Sequence, residues 1–277
     1  MDRDDRRRAA LVTGAGSGIG RAIAERLARA GDRVTGTVRD PARAEALSAE
    51  ASRSGLPLEY RPLELTSGQS IAALAGSFLP AGLDLLVHNA GFGVFGAVED
   101  VGADLVTRQF AVNLFGPLDL TRRLLPALRA RRGHVIFVGS LGGRIALPFQ
   151  GHYSASKAAV AALSDALRLE LAPHGVRVTC VEPGDFATGF TDSRVIAGPT
   201  HSVYGPQAAA CLREVERQER GAPDPGLVAR LVERLSHRGN PPARCPIGRG
   251  ARSISVALRF LPDRIRERAV LRHYGLK

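Results

Sequence analysis

Apolar positions along the chain change period repeatedly, and the changes mark out its elements. Short apolar runs at 9–13, 83–88, 133–138 and 176–181, and more mixed stretches at 33–38 and 58–63, read as strands, with 83–88 buried. Between them, apolar residues recur at three- and four-residue spacing over 21–30, 41–54, 67–78, 104–130 and 153–174, the spacing of helices that cover one face. Gly31 stops the first of these, and Pro117 and Pro126 mark irregularities in the long fourth one. Strand and helix alternate throughout, which predicts a mostly parallel sheet with helices on both faces, an α/β fold.

The last third is less regular. A polar helix is predicted over 204–220, and Asp224 with Pro225 reads as an N-cap followed by proline at the first helical position, opening a helix to about His237. Residues 242–247 read as a final edge strand. The segment 252–273 alternates Val256, Leu258, Phe260, Leu261, Ile265, Val270 and Leu271 with six arginines. This amphipathic basic tail is expected to pack on the lid with its charged face solvated, rather than to lie on a membrane surface. No repeat or long linker appears, so 1–277 is read as one domain, with a core at 8–188 and a lid and C-terminal extension at 189–277.

Composition narrows the class. The chain is 44% hydrophobic and 23% charged, as soluble globular proteins are, and holds no run of about eighteen apolar residues that would span a membrane. The charged start, Met1 to Arg8, has no apolar stretch of a secretory signal, so cytoplasmic residence is expected. Cys180, Cys211 and Cys245 are odd in number and widely spaced, which fits reduced thiols and no metal site. The net charge of +11 is carried almost wholly by arginine, since Lys157 and Lys277 are the only lysines. The basic residues cluster at Arg6 to Arg8, 129–132 and 259–272 without any nucleic-acid-binding motif, so no nucleic-acid partner is expected.

Three stretches carry chemistry. Gly14-Ala15-Gly16-Ser17-Gly18-Ile19-Gly20 follows a strand and opens a helix, an arrangement in which glycines admit a pyrophosphate and the helix N-terminus receives its charge. The second strand ends in Val38-Arg39, and an arginine there pairs with the 2′-phosphate of NADP(H); Asp40, one residue on, leaves NAD(H) open. His88-Asn89-Ala90-Gly91 ends the fourth strand at the carboxyl edge, where such sheets bind ligands, with His88 itself read as packed or hydrogen-bonded. Lastly, Gly139-Ser140 precedes Tyr153-Ser154-Ala155-Ser156-Lys157. Tyr153 and Lys157 share a helix face, and an ammonium beside a phenol is expected to lower the tyrosine pKa and make it a general acid or base, with Ser140 adding a hydroxyl at the same substrate oxygen.

Taken with Asn113 and Pro183-Gly184, these motifs resemble the short-chain dehydrogenase/reductase family in order and approximate spacing over residues 8–190, with most likeness to its hydroxysteroid- and retinol-dehydrogenase-like branch. The resemblance implies a doubly wound Rossmann fold and a hydride transfer between NADP(H) and a carbonyl or secondary alcohol of a bulky apolar substrate. Asn113, Ser140, Tyr153 and Lys157 would form the catalytic tetrad, Lys157 also holding the nicotinamide ribose and Asn113 either holding a water or satisfying backbone groups. Glu64, beside Leu65, stands where relatives place an adenine-contacting Asp, and Phe186 stands where Val or Ile usually meets the carboxamide that Thr188 bonds. A homodimer or homotetramer built on 104–130 and 153–174 is implied as well. A nucleotide-sensing regulator without catalysis is the rival reading, which retention of Tyr153 and Lys157 disfavours. An extended-branch epimerase or dehydratase is disfavoured by Gly18-Ile19-Gly20 and the chain length.

Overall fold

The computed structural model describes residues 7–190, 194–198, 203–258 and 260–276. The charged start through Arg6, and Arg259 of the basic tail, lie outside them. In chain order the strands are β1 (Ala9–Val12), β2 (Arg33–Val38), β3 (Leu58–Pro62), β4 (Leu85–His88), β5 (Val94–Phe95), β6 (His134–Val138), β7 (Arg177–Pro183), β8 (Val195–Ile196) and β9 (Arg244–Ile247). The helices are α1 (Gly18–Arg29), α2 (Pro41–Arg53), α3 (Gly68–Gly76), α4 (Ala103–Phe110), α5 (Gly116–Arg131) and α6 (Gly151–Leu171), then α7 (Gly205–Arg220), α8 (Gly226–Ser236), α9 (Ala251–Ala257) and α10 (Asp263–His273). No helix among the described residues is long and apolar enough to cross a membrane.

Seven strands form one sheet in the order β3-β2-β1-β4-β6-β7-β9, and every pairing is parallel. Every residue of β1, β4 and β6 is buried, which is why their sequences run apolar without alternating. One face packs Ile23 and Leu27 of α1, Leu47 of α2 and Val228, Val232 and Leu235 of α8. The other packs Leu74 of α3, Leu120, Leu124 and Leu128 of α5, and Val160, Leu167 and Leu171 of α6. The chain builds outward from β1 to β3 and then returns to β4 beside β1, so strand order reverses between them. That reversal leaves a crevice at the carboxyl edge of a doubly wound, Rossmann-type sheet.

Several expectations are refined. The stretch 104–130 is not one helix but α4, a π-helical turn at Ala111–Phe115, and α5. Pro117 has no N–H to give the carbonyl four residues back, so the ladder passes to wider spacing ahead of it; Pro126 stays inside α5 without interrupting it. The helix after Asp224 starts one residue later than expected, at Gly226 with Pro225 in the N-cap position, and Asp224 Oδ1 accepts from the N–H of Gly226 at 2.7 Å. β5 and β8 pair across the carboxyl edge, and two-residue strands carry no periodicity to read. Residues 226–247 belong to the core and the sheet: α8 packs on α1, reinforced by an Arg26–Glu233 ion pair at 2.7 Å, and β9 extends β7. The basic tail departs furthest from expectation, because α10 buries no residue; beyond it, Tyr274 and Leu276 pack against Phe95, Cys211 and Val215.

Candidate active site

β1, β2, β4, β6 and β7 all end on one cavity of about 740 Å³. Its floor is set by Gly14, at φ 65°, where a Cβ would lie 2.8 Å from Ala90 Cα, and by Gly20, where one would lie 2.2 Å from the Gly14 oxygen and 2.3 Å from Asn89 Nδ2. Glycine at both positions lets α1 start against the loop after β4. Asn89 locks the junction, its Nδ2 donating to the carbonyls of Thr13 (3.1 Å) and Gly14 (3.0 Å), while the Thr13 hydroxyl accepts from the N–H groups of Asn89 and Ala90. Ser17 makes no side-chain cap to α1, and no acidic residue occupies the first turn, so the helix N-terminus keeps its donors and its positive end for an anion. Gly14, Ser17, Gly18 and Ile19 line the cavity, as do Asn89, Ala90 and Gly91; Gly20 acts from beneath, through the close approach it permits. These residues fit the pyrophosphate of a dinucleotide.

The outer end is cationic. Arg39, Glu64 and Leu65 line it as the sequence suggested, and so do Arg43, from the first turn of α2, and Arg108, from α4. Burial raises the Glu64 carboxyl, but the N–H and hydroxyl of Thr66, then Arg39 and Arg108, outweigh it and leave the group below its ordinary value. Asp40 is engaged elsewhere: its Oδ1 accepts from the N–H of Ala42 at 3.0 Å and caps α2. The only carboxylate next to Arg39 in the sequence is therefore occupied by helix capping.

At the inner end stand Ser140, Tyr153 and Lys157. Ser140 closes β6, and its hydroxyl accepts from the N–H of Gly142 at 3.0 Å. Arg144, just beyond, donates from Nε to the buried Glu182 at 2.7 Å, which pins this turn to β7. Tyr153 and Lys157 lie one turn apart on α6, both buried. Burial pushes the Tyr153 phenol up to about 12, against the pull of its hydrogen bond with Ser140. Burial pushes the Lys157 ammonium down to about 8. The expected lowering of the tyrosine by the lysine is thus not what this geometry produces. Nζ donates to the carbonyl of Val138 at 3.0 Å and lies 5.9 Å from the Tyr153 ring centroid, so burial dominates the phenol.

Asn113 lies in the π-helical turn and spends its amide on protein groups. Nδ2 donates to the Phe92 carbonyl and the Ser156 hydroxyl, and Oδ1 accepts from the Phe92 N–H, all at 3.1 Å. The two bonds to Phe92 meet the backbone-satisfying role expected of it. Pro183, Gly184, Phe186 and Thr188 line the cavity on the β7 side, with Thr188 against Gly18. His88 is a packing residue: its ring stacks on Phe137 at 4.8 Å, Nε2 meets Thr121 Oγ1 at 2.7 Å, and burial pushes its pKa down to about 3.

Sequence reasoning missed the wall facing Tyr153. Phe190 lies 5.8 Å from the Tyr153 ring, Arg194 stands over Phe190 at 5.7 Å, and Arg194 ion-pairs with Glu219. Val195, Val215, Gln218, Glu219, Asp185 and Tyr274 line the cavity as well, and Phe92 lines it beneath the Arg108 guanidinium, which stands 5.8 Å from its ring centroid. Phe92, Asp185 and Phe190 adjoin motif residues, but Val195, Val215, Gln218, Glu219 and Tyr274 come from segments distant in sequence that no spacing announces.

Lys157 carries a prediction about stability. The native state releases at about 8 a proton that the unfolded chain keeps to about 10.5, so this residue makes the fold more stable as pH rises through that window. Replacing Lys157 by Met should abolish that rise and stabilise the protein at neutral pH by about 1–3 kcal/mol, since a buried charge with few partners is costly. The same change should weaken nucleotide binding. Urea melts of both proteins at neutral and alkaline pH check it; a variant less stable than the parent at neutral pH contradicts it.

A doubly wound parallel sheet with a glycine-rich turn at its reversal and a Ser, Tyr and Lys set at the same edge defines a nucleotide-dependent oxidoreductase architecture. The sequence pattern of the short chain dehydrogenase family matches residues 8–196. The chain belongs to that family and is an NAD(P)-dependent dehydrogenase or reductase. It is 33% identical to the 3-ketodihydrosphingosine reductase of Bacteroides thetaiotaomicron over 96% of this chain and 98% of that one. Among solved structures, a short chain dehydrogenase/reductase from Burkholderia phymatum in complex with NAD superposes with a TM-score of 0.80 at 25% identity, covering 96% of this chain and 97% of that one. A variant of the actinorhodin polyketide ketoreductase with NADPH superposes with a TM-score of 0.75 at 28% identity, covering 88% of this chain and 96% of that one.

Proposed function

We propose that the protein is an NADPH-dependent ketoreductase for a bulky apolar ketone, with Tyr153 as the proton donor. The observation that carries this reading is one cavity with Ser140, Tyr153 and Lys157 at its inner end and Arg39, Arg43 and Arg108 at its outer end. Three guanidinium groups suit the 2′-phosphate that distinguishes NADP from NAD, and Asp40, engaged in capping, offers no carboxylate against it. Hydride comes from the bound nicotinamide nucleotide. Ser140 and Tyr153 hold the substrate oxygen, and Tyr153, a phenol protonated at neutral pH and held so further into alkali by burial, gives it a proton. Lys157 holds the ribose and keeps positive charge near the phenol.

The substrate wall is built of Leu141, Leu147, Phe186, Phe190, Val195 and Val215, which suits a steroid-, polyketide- or long-chain-like body. Glu219 at that end is ion-paired with Arg194, so Asp185 is the carboxylate there that suits a cationic substituent such as an amine. Purified protein supplied with NADPH or NADH and a panel of long-chain amino ketones, neutral long-chain ketones, steroids and small ketones tests the reading. Reduced-nicotinamide absorbance should fall fastest with NADPH and a bulky ketone, by at least ~10-fold in kcat/KM over NADH. Tight NADPH binding without turnover of any ketone would instead favour a nucleotide sensor. Cytoplasmic residence is part of the proposal, supported by the three free, buried thiols of Cys180, Cys211 and Cys245.

Self-association is proposed through α6. Its inward face buries Val160, Ala161, Leu167 and Leu171, while Ala155, Ala158, Ala162, Ala166 and Leu169 stay exposed on the other. Small residues in a row let a twofold mate approach closely. Light scattering at micromolar concentration should give at least twice the 29.4 kDa chain mass, and an Ala162→Arg variant should fall to that mass without unfolding. A monomeric parent rejects the interface.

A further inference from the structure

The C-terminal arm is held at both ends and apolar in the middle. At its start, α9 buries Ala251 and Ser255. At its finish, Tyr274 and Leu276 join the Phe95, Cys211 and Val215 cluster, and Gln218 Nε2 of α7 donates to the His273 carbonyl at 3.4 Å. Between these anchors the chain presents Val256 58% exposed, Phe260 79% and Ile265 50%. Of the fourteen large apolar side chains exposed among the described residues, six lie between Ile254 and Leu271. A segment that needed only solvation would carry polar residues there, so this stretch has the composition of a contact surface.

Charge decides what it contacts. Residues 249–273 contain seven arginines against two carboxylates, Asp263 and Glu267, and one of these, Asp263, is already paired with Arg266. A twofold interface would bring this surface against itself and set like charge on like. A surface of anionic headgroups over an apolar interior satisfies both features: arginines pair with the headgroups while Phe260 and its apolar neighbours enter the acyl boundary. We propose that the turn between α9 and α10 docks the enzyme on an anionic lipid surface. The arm that would sit on the lipid also carries Tyr274 into the wall of the cavity, so docking places that wall within one short helix of the membrane.

The test measures binding, not turnover, so it stands apart from the proposed reaction. Full-length protein is floated with vesicles of phosphatidylcholine alone and of phosphatidylcholine containing phosphatidylglycerol. Flotation is expected with the anionic vesicles and not with the neutral ones. A Phe260→Ser, Ile265→Ser double variant should lose at least ~10-fold in partition. An Arg264→Glu, Arg268→Glu variant should lose it too, with the apolar residues intact. All these side chains are exposed, so melting temperature should not change. The proposal is overturned if the parent does not float, if either variant floats as the parent does, or if the apolar variant halves the mass in light scattering, which would assign the turn to a second copy of the chain.

Discussion

Tyr153→Phe is expected to lower turnover by at least ~10²-fold while nucleotide binding stays near that of the parent and stability changes by no more than about 1 kcal/mol. The ring carries the packing: it is 9% exposed, lies against Phe190 at 5.8 Å and keeps its place without the hydroxyl. What is lost is one oxygen, the group that meets Ser140 and gives its proton to the substrate. Because the phenol is pushed up to about 12, the parent should reduce ketones at a rate that changes little with pH up to about 8, where Lys157 begins to lose its charge, and over that range should oxidise alcohols faster as pH rises. The variant should show neither trait. Steady-state rates in both directions, with nucleotide affinity measured separately, check this; turnover within a few-fold of the parent removes Tyr153 from the chemistry.

Arg39→Asp is expected to weaken NADPH use by ~30- to 1000-fold in kcat/KM and to turn preference toward NADH. The change removes a forked donor from the outer end of the cavity and puts a repelling carboxylate where the 2′-phosphate would lie. Arg43 and Arg108 remain there, which sets the upper limit on the loss. An Asp40→Asn variant is a useful companion. Asn caps a helix about as well, so α2 should be undisturbed, and preference should not move if Asp40 is only a cap. Equal use of NADPH and NADH by the Arg39→Asp enzyme and its parent would show that Arg39 does not select the nucleotide.

The parts legible in the sequence were those whose signal is local. A buried parallel strand is a short apolar run, a phosphate turn is glycines between strand and helix, and Tyr153 with Lys157 is a helical spacing. Each of these the fold repeats closely. What escaped depends on desolvation or on long-range assembly. The Tyr153 pKa was expected to fall because two residue types stand near each other; burial reverses its direction, and burial is a property of the whole domain. Arg108 reaches the outer end of the cavity from α4, and Glu219 and Tyr274 reach the inner end from α7 and the chain beyond α10. The π-helical turn around Asn113 was half visible: Pro117 announced an irregularity but not its form.

The position of α8 and β9 limits how substrate preference can be exchanged between relatives. Because Val228, Val232 and Leu235 fill the core and β9 closes the sheet, a chimera that trades everything after Thr188 in one block would also trade part of the hydrophobic interior. Mismatched volumes there would register as lost stability before any new specificity was seen. Two shorter grafts, one ending ahead of α8 and one starting after β9, would carry Phe190, Val195, Val215, Glu219 and Tyr274 while leaving 226–247 native. Of the proposed substrate wall only the parts in those two pieces are modular, since Leu141, Leu147 and Phe186 stay with the core.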